Sequence, residues 1–501
     1  MANDVVFIKG QGGLGRPLAG EDHISALLFY TSATLPTGFS SNYRIKQVFS
    51  LAEAEALGIT NVGTGATAST ATFEVTNKGA VGDTVKLVVT GIEGAVTIAN
   101  YTQVTADVST LTTSAARLAA EINLGTSTHG YSASPSTATV TITAPLTEGI
   151  FLNSGTPYVA TLTGTVAGTL TQNVVAGVAS TIDIMHYHIE EYFRLQPKGN
   201  LYIGIYAVSS DFAEVTTMQN YALGAIRQLG VYTQAAYATG TVTLLQTQAT
   251  NNEANHKPLE ILYNPDFAGT ADLTALTTTH SLSSQNVSVM FGQDGAAKGY
   301  KLWKATNKSI GCLGTCLGAV AFAKVSESIA WVSKFNVANT EYETLNFANG
   351  QVYNVISDGS INNLDAKGFV FLRKHTSLTG SYFNNPYTST LVTSDYSRIN
   401  NNRTINKAIR GMRTFLLPAL ASPIKVNEDG SLTDDVIAYF ESLCKRALDV
   451  MQRDAEVSAF SVRIDPTQDV LSTSTLEISV SIVPLGSADN IEVNVGFAVS
   501  I

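Results

Sequence analysis

Charge is what this chain has least of. Asp, Glu, Lys and Arg make up 14% of its 501 residues, against about a quarter in ordinary globular proteins. Much of the surface must be uncharged Thr, Ser, Asn, Ala and Gly, a composition suited to being covered by other subunits and also to a low-charge β-protein. A net charge of −10 excludes wholesale electrostatic binding of nucleic acid, which needs a basic face. Long apolar runs are also missing: none reaches the roughly 18 residues of a membrane-spanning helix. Met1-Ala2-Asn3-Asp4 has neither the basic nor the apolar part of a signal peptide. The expectation is a soluble protein made in the cytoplasm, with no direct membrane insertion. Cysteine is scarce. Of the three, Cys312 and Cys316 lack a second pair or nearby histidines, and Cys444 falls in a predicted helix. Buried free thiols are expected rather than a zinc site. No P-loop, nucleophile elbow or HExxH pattern occurs, so no catalytic, cofactor-binding or metal-binding residue is assigned.

What the chain does have is alternation. In its last twelve residues Ile491, Val493, Val495, Phe497, Val499 and Ile501 fall on one face of a period-two pattern, with polar or small residues on the other. That predicts a half-buried strand. Val5, Val6, Phe7 and Ile8 make a shorter version near the start. Strand-forming segments at both ends must pair with something, in this chain or in another copy. Gly10-Gln11-Gly12-Gly13-Leu14-Gly15 superficially matches a dinucleotide loop, but Pro17 and Gly20 follow with no helical period. A flexible arm is the expected reading.

Between these ends the composition divides the chain. Expected units are an arm (1–25), a first core piece (26–60), an inserted β-rich domain (61–177), an α/β domain (178–378), a C-terminal domain (379–489) and a second arm (490–501). Leu27 to Tyr30 reads as a strand, and Ser50 to Leu57 as a short helix with Ser50 as N-cap and Glu53 closing a capping box. The inserted stretch is poor in charge and aromatics, with short Thr/Val runs between Gly, Asn and Pro turns and one helix near Ser114 to Ile122. Strands at 201–206, 230–233, 259–263 and 287–291 alternate with predicted helices at 212–226 and 241–252. That spacing argues for a mostly parallel sheet covered on both faces. Asp266 and Asp294, at strand ends, mark where a ligand crevice would lie. A small-residue helix is expected over 312–332. The fold class is therefore α/β (α+β) and multidomain.

His186 and His188, followed by Glu190 and Glu191, form the best metal candidate. On a strand the two rings share a face; on a helix they point about 200° apart. Partner-facing or core histidines are the simpler reading. Farther on, 368–373 reads as a strand, Gly380 to Pro386 as a turn-rich loop, and 403–413 as a helix. On that helix Arg403, Lys407 and Arg410 stack on one face, extended by Arg413, opposite Ile405, Ile409 and Met412. Such a basic stripe is either paired within its own chain or aimed at an acidic partner. A longer amphipathic helix, 433–454, carries Lys445 and Arg446 on its polar side. A strand at 476–483 and a turn at 484–489 lead to the final strand.

This order resembles the contractile tail sheath proteins of bacteriophages and phage-like contractile injection systems. The resemblance rests on the short N-terminal arm, the inserted β-rich domain, the GSYFNNP loop, DYSRI followed by RTINKAIRGMR, the long amphipathic helix and the closing IEVNVGFAVSI. It is best over residues 1–30 and 368–501. It implies a structural, non-enzymatic subunit without cofactors, polymerised as stacked hexameric rings around a tail tube, with baseplate and tail terminator proteins as further partners. It also implies a place in a virion tail or phage-like particle assembled in the bacterial cytoplasm. By the same resemblance, Val5 to Ile8 and Ile491 to Ile501 would be arms adding strands to neighbouring copies. Arg403, Lys407, Arg410 and Arg413, or Lys445 and Arg446, would face the tube. Other self-assembling proteins (a tail tube, capsid or surface-layer subunit) and an α/β hydrolase-like enzyme remain as alternatives.

Overall fold

The computed structural model describes residues 20–31, 35–493 and 495–497. Its centre is a six-stranded sheet in the order Val287–Val289, Glu260–Asp266, Gln228–Ala236, Ile24–Tyr30, Asn200–Tyr206, Ile45–Val48. All neighbours run parallel except the last strand. Ile24–Tyr30 is buried at every position, and its residues alternate between two apolar clusters. Leu27 and Phe29 join one; Ala26, Leu28 and Tyr30 join the other. Two covered faces explain why this strand is continuously apolar. The helix Thr181–Leu195 and the helix Leu313–Phe322 cover the first face. The helices Glu214–Tyr221 and Thr239–Ala254 cover the second.

Small residues set one of these packings. A Cβ on Gly314 would stand 2.1 Å from the His188 carbonyl oxygen, and one on Gly318 would stand 2.8 Å from that of Tyr192. The two helices can approach this closely only because those positions are glycine. The small-residue helix ends at Phe322 rather than continuing to 332, since Ala323 is extended and turns follow.

Residues 67–178 build sheets of their own. One has the order Ser132–Ser136, Thr139–Thr143, Thr70–Asn77, Ala167–Val175; the other Gly94–Thr102, Thr84–Gly91, Tyr158–Thr163. Phe73, Leu87, Val140, Tyr158 and the Leu118 and Ile122 side chains of the helix Leu111–Leu124 form a separate apolar cluster. A bridge between Thr67 and Val178 closes its root.

The last part begins with the helix Ile399–Leu416, which crosses the helix Asp434–Arg453 where Gly411 lies against Ala447. An antiparallel hairpin, Val457–Arg463 with Ser479–Pro484, follows. Two expectations are corrected here. Leu378–Phe383 is a strand paired with Leu372–His375, so the expected loop at 380–386 is half strand. The described residues of 490–497 form no strand, and Ile491, Val493, Val495 and Phe497 are at least 75% exposed. The alternation is there, but among the described residues it meets no partner strand and so has no ladder to join. The expected N-terminal arm (Val5, Val6, Phe7, Ile8), the glycine-rich stretch 10–15, Val499 and Ile501 lie outside the described residues.

Candidate functional site

The histidines, strand-end carboxylates and cysteines weighed as chemical candidates all have structural partners or are buried. His186 and His188 lie on a helix, not a strand. His186 Nε2 is 2.9 Å from Glu55 Oε1, while His188 is wholly buried beside Phe29 and Tyr232. There it accepts from the Gly314 backbone N–H at 3.3 Å. Burial pushes His188 down to about 3, so it is neutral. Among the described residues no group of three or more His, Cys, Asp or Glu is placed to hold a metal ion. Asp266 pairs with Lys308 at 2.8 Å and accepts from the Ser309 N–H. Asp294 accepts from the N–H groups of Ala297, Tyr300 and Tyr342. Both strand-end carboxylates thus cap turns instead of facing a crevice. Cys312, Cys316 and Cys444 are buried free thiols, and burial pushes Cys312 up to about 12.

The unusual geometry belongs to the helix Ile399–Leu416. Its spacing puts Arg403, Lys407 and Arg410 on one face as expected, but that face points inward, which corrects the reading of an outward stripe at these three positions. Arg403 is 4% exposed and donates to the carbonyls of Ala323, Lys324 and Asp22 at 3.1–3.3 Å. Lys407 Nζ sits 2.6 Å from both Asp22 Oδ2 and Glu456 Oε1. Arg410 reaches Asp22 Oδ1 at 3.3 Å. Burial on its own raises the Asp22 carboxyl, but the Lys407 ion pair and the fields of Arg410 and Arg403 outweigh it and hold the group below its ordinary value.

The same face carries Asn402 and Asn406, which donate to Glu260 at 3.3 and 3.1 Å. Glu260 opens a core strand and is wholly buried, and desolvation pushes it up to about 8 against the help of Asn286, Asn402 and Arg403. Neither Asp22, Glu260 nor Glu456 was legible as a partner. The signal that was available is the polar run Asn400-Asn401-Asn402-Arg403, too hydrogen-bond-rich for a simple solvated face.

With the polar side inward, the apolar side is partly outward. Ile409, Met412 and Leu416 line a groove of about 370 Å³ with Leu417, Leu420 and Ile478. A second groove of about 540 Å³ adjoins it, walled by Phe440, Leu471 and Leu476. Arg413 lines the first groove. Lys445 is half-exposed and pairs with Glu441 at 2.6 Å, and Arg446 is exposed. Among the described residues, each strand of the hairpin above these grooves is paired on one side only.

An α/β body, a separate β-rich unit and a helix-and-hairpin unit with unfilled edges together define an α+β multidomain protein. A family model for the DUF2586 N-terminal domain matches residues 2–386, and one for the DUF2586 C-terminal domain matches residues 395–501. The chain belongs to the DUF2586 family. No curated protein matches it. Among solved structures it is similar to a chain of the anti-feeding prophage helical sheath in the contracted state, at 13% identity and TM-score 0.46, covering 64% of this chain and 84% of that one. It is also similar to sheath tail proteins of Desulfitobacterium hafniense (10% identity, TM-score 0.36, covering 96% and 100%) and Listeria innocua (9%, 0.40, covering 94% and 97%).

Proposed function

We propose that this chain is the structural subunit of a contractile tail sheath, polymerising as stacked hexameric rings around a tail tube and contracting to drive that tube through a cell envelope. The observation that carries this reading is a mismatch inside one chain. Ile491, Val493, Val495 and Phe497, apolar at every second position, are exposed to solvent, while among the described residues the hairpin Val457–Arg463/Ser479–Pro484 offers unpaired edges above an apolar groove. A segment of that pattern from another copy fits such an edge, because an added strand supplies ladder hydrogen bonds and its alternate side chains fill the groove. The resemblance in sequence adds Val5 to Ile8 as the second arm. Gly-rich residues 10–15 would let the arm stay paired while rigid bodies change their packing.

On this reading the partners are further copies, the tail tube, and the baseplate and terminator proteins at the two ends. The place of action is a virion tail or phage-like particle assembled in the bacterial cytoplasm. Arg446, Lys445 and Arg413 are the basic residues left to face the tube. Among the described residues no helix is long and apolar enough to cross a membrane.

Electron microscopy of the purified full chain tests the proposal. Hollow helical tubes of wide bore are expected, and they should vanish when residues 491–501 are deleted while the circular dichroism melt of the subunit is unchanged. Narrow tubes, shells or flat arrays would move the assignment to a tail tube, capsid or surface-layer subunit. Discrete particles that do not respond to the deletion would overturn it.

A further inference from the structure

The basic helix Ile399–Leu416 holds the roots of both terminal segments. On one side, the residues that follow 1–19 are gripped by it. Asp22 receives Lys407 at 2.6 Å and Arg410 at 3.3 Å through its carboxylate, and Arg403 at 3.1 Å through its backbone carbonyl. Neighbouring Glu21 pairs with Arg227. On the other side, Asp489, the last residue before the alternating segment, is held by Arg398 at the helix's N-cap. The two guanidinium nitrogens lie 3.3 and 2.5 Å from its two carboxylate oxygens. That guanidinium is itself fixed, 5.4 Å over the Tyr387 ring and 3.4 Å from Asn385 Oδ1. A fork-to-fork pair stacked on an aromatic ring fixes direction as well as position. These contacts join residues 388 and 91 positions apart, so no local rule of chain structure requires them.

We propose that this helix is a common anchor: it clamps residues 21–22 and residue 489, so that pull on either terminal segment loads one helix. The helix is in turn tied to the core sheet through Asn402, Asn406 and Glu260. The stripe expected to meet a partner thus acts inside the chain, setting where the two segments begin. The mechanical part of this rests on the proposal that those segments bind other copies. The anchoring part does not.

Hydrogen–deuterium exchange on the full-length, unassembled chain separates the two. Asp489→Asn is expected to speed exchange at the ladder-paired residues 479–483, the nearest hydrogen-bonded stretch before Asp489, about one-and-a-half- to fivefold, the range of a partly exposed ion pair, with no change at 20–24. Asp22→Asn is expected to do the reverse, by about tenfold, because Lys407 and Arg410 both lose the carboxylate they share. The charge swap Arg398→Asp with Asp489→Arg should restore protection at 479–483, which loss of folding would not allow. Unchanged exchange in both single variants overturns the anchor. Faster exchange with unaltered tube yield and unaltered resistance of the tubes to shear overturns the load-bearing role while keeping the anchor. If the wild-type chain forms no tubes, the assembly reading and the load-bearing role fail together, and the exchange data still decide whether the helix holds both roots.

Discussion

The core strand Ile24–Tyr30 and the hairpin strand Ser479–Pro484 are both good β-formers, yet the first is buried at all seven positions and the second at none of its six. One is sandwiched between two strands and two helix layers. The other has, among the described residues, a neighbour on a single edge and a groove beneath it. A strand completed within its own chain contributes to the stability of the monomer. A strand left half-made contributes little until something else arrives.

The sharpest way to stress that contrast is in the core. Gly314→Val puts a branched side chain where the His188 carbonyl oxygen stands, so the two helices must separate. A loss of about 3 kcal/mol or more, or failure to fold, should be seen in denaturant titrations. A variant that is as stable as wild type would remove the close-packing account. Next come matched truncations in the two strands. Leu27→Ala should cost about 2–5 kcal/mol as a buried cavity, whereas Ile482→Ala should cost under about 1 kcal/mol in the isolated subunit. Equal losses would mean that the hairpin is as complete as the core.

A pH effect of intermediate size follows from Glu260. Its folded-state value, pushed up to about 8, lies above the ordinary 4.5. The folded chain therefore keeps a proton that the unfolded chain has already released, and stability from this group is full below the lower value and falls as pH rises through the upper one. Facing it are Asn286, Asn402, Asn406, Arg403 and, at longer range, Glu253. Melting temperature should drop by several degrees between pH 5 and pH 9. Glu260→Gln should flatten that slope; parallel slopes for the two proteins would count against a neutral Glu260. The smallest effect on the subunit is expected from Val495→Asp: no measurable shift in melting, because Val495 is exposed, with loss of tube formation. A destabilised monomer would show that this segment already packs at home.

Much of the fold was open to inspection in the sequence. Ser50 accepts from the Glu53 N–H as its capping pattern suggests, although the Glu53 carboxylate takes the Phe49 N–H rather than that of Ser50. Five of the six strands of the central sheet and the long helix Asp434–Arg453 stand where their periods put them, while the edge strand Ile45–Val48 was not read. The candidate site was less open. Spacing placed Arg403, Lys407 and Arg410 on one face, but period gives no sign to that face. Arginine on an amphipathic helix ordinarily points to water. Here Asp22, Glu456 and three carbonyls line the inner side, so the ordinary preference is overturned and Ile409 is left outside.

What the sequence determined alone is whatever depends on residues a few positions apart: strand alternation, helical stripes, caps, and the charge-poor composition of residues 61–177. Only the tertiary structure decided which face turned inward and which strands found partners. Those outcomes depend on groups brought together from opposite ends of the chain, such as Asp22 meeting Arg410 across 388 positions. Local periodicity is written by neighbours in the chain; the sign of a buried charge is settled by whichever counter-charge the fold delivers to it.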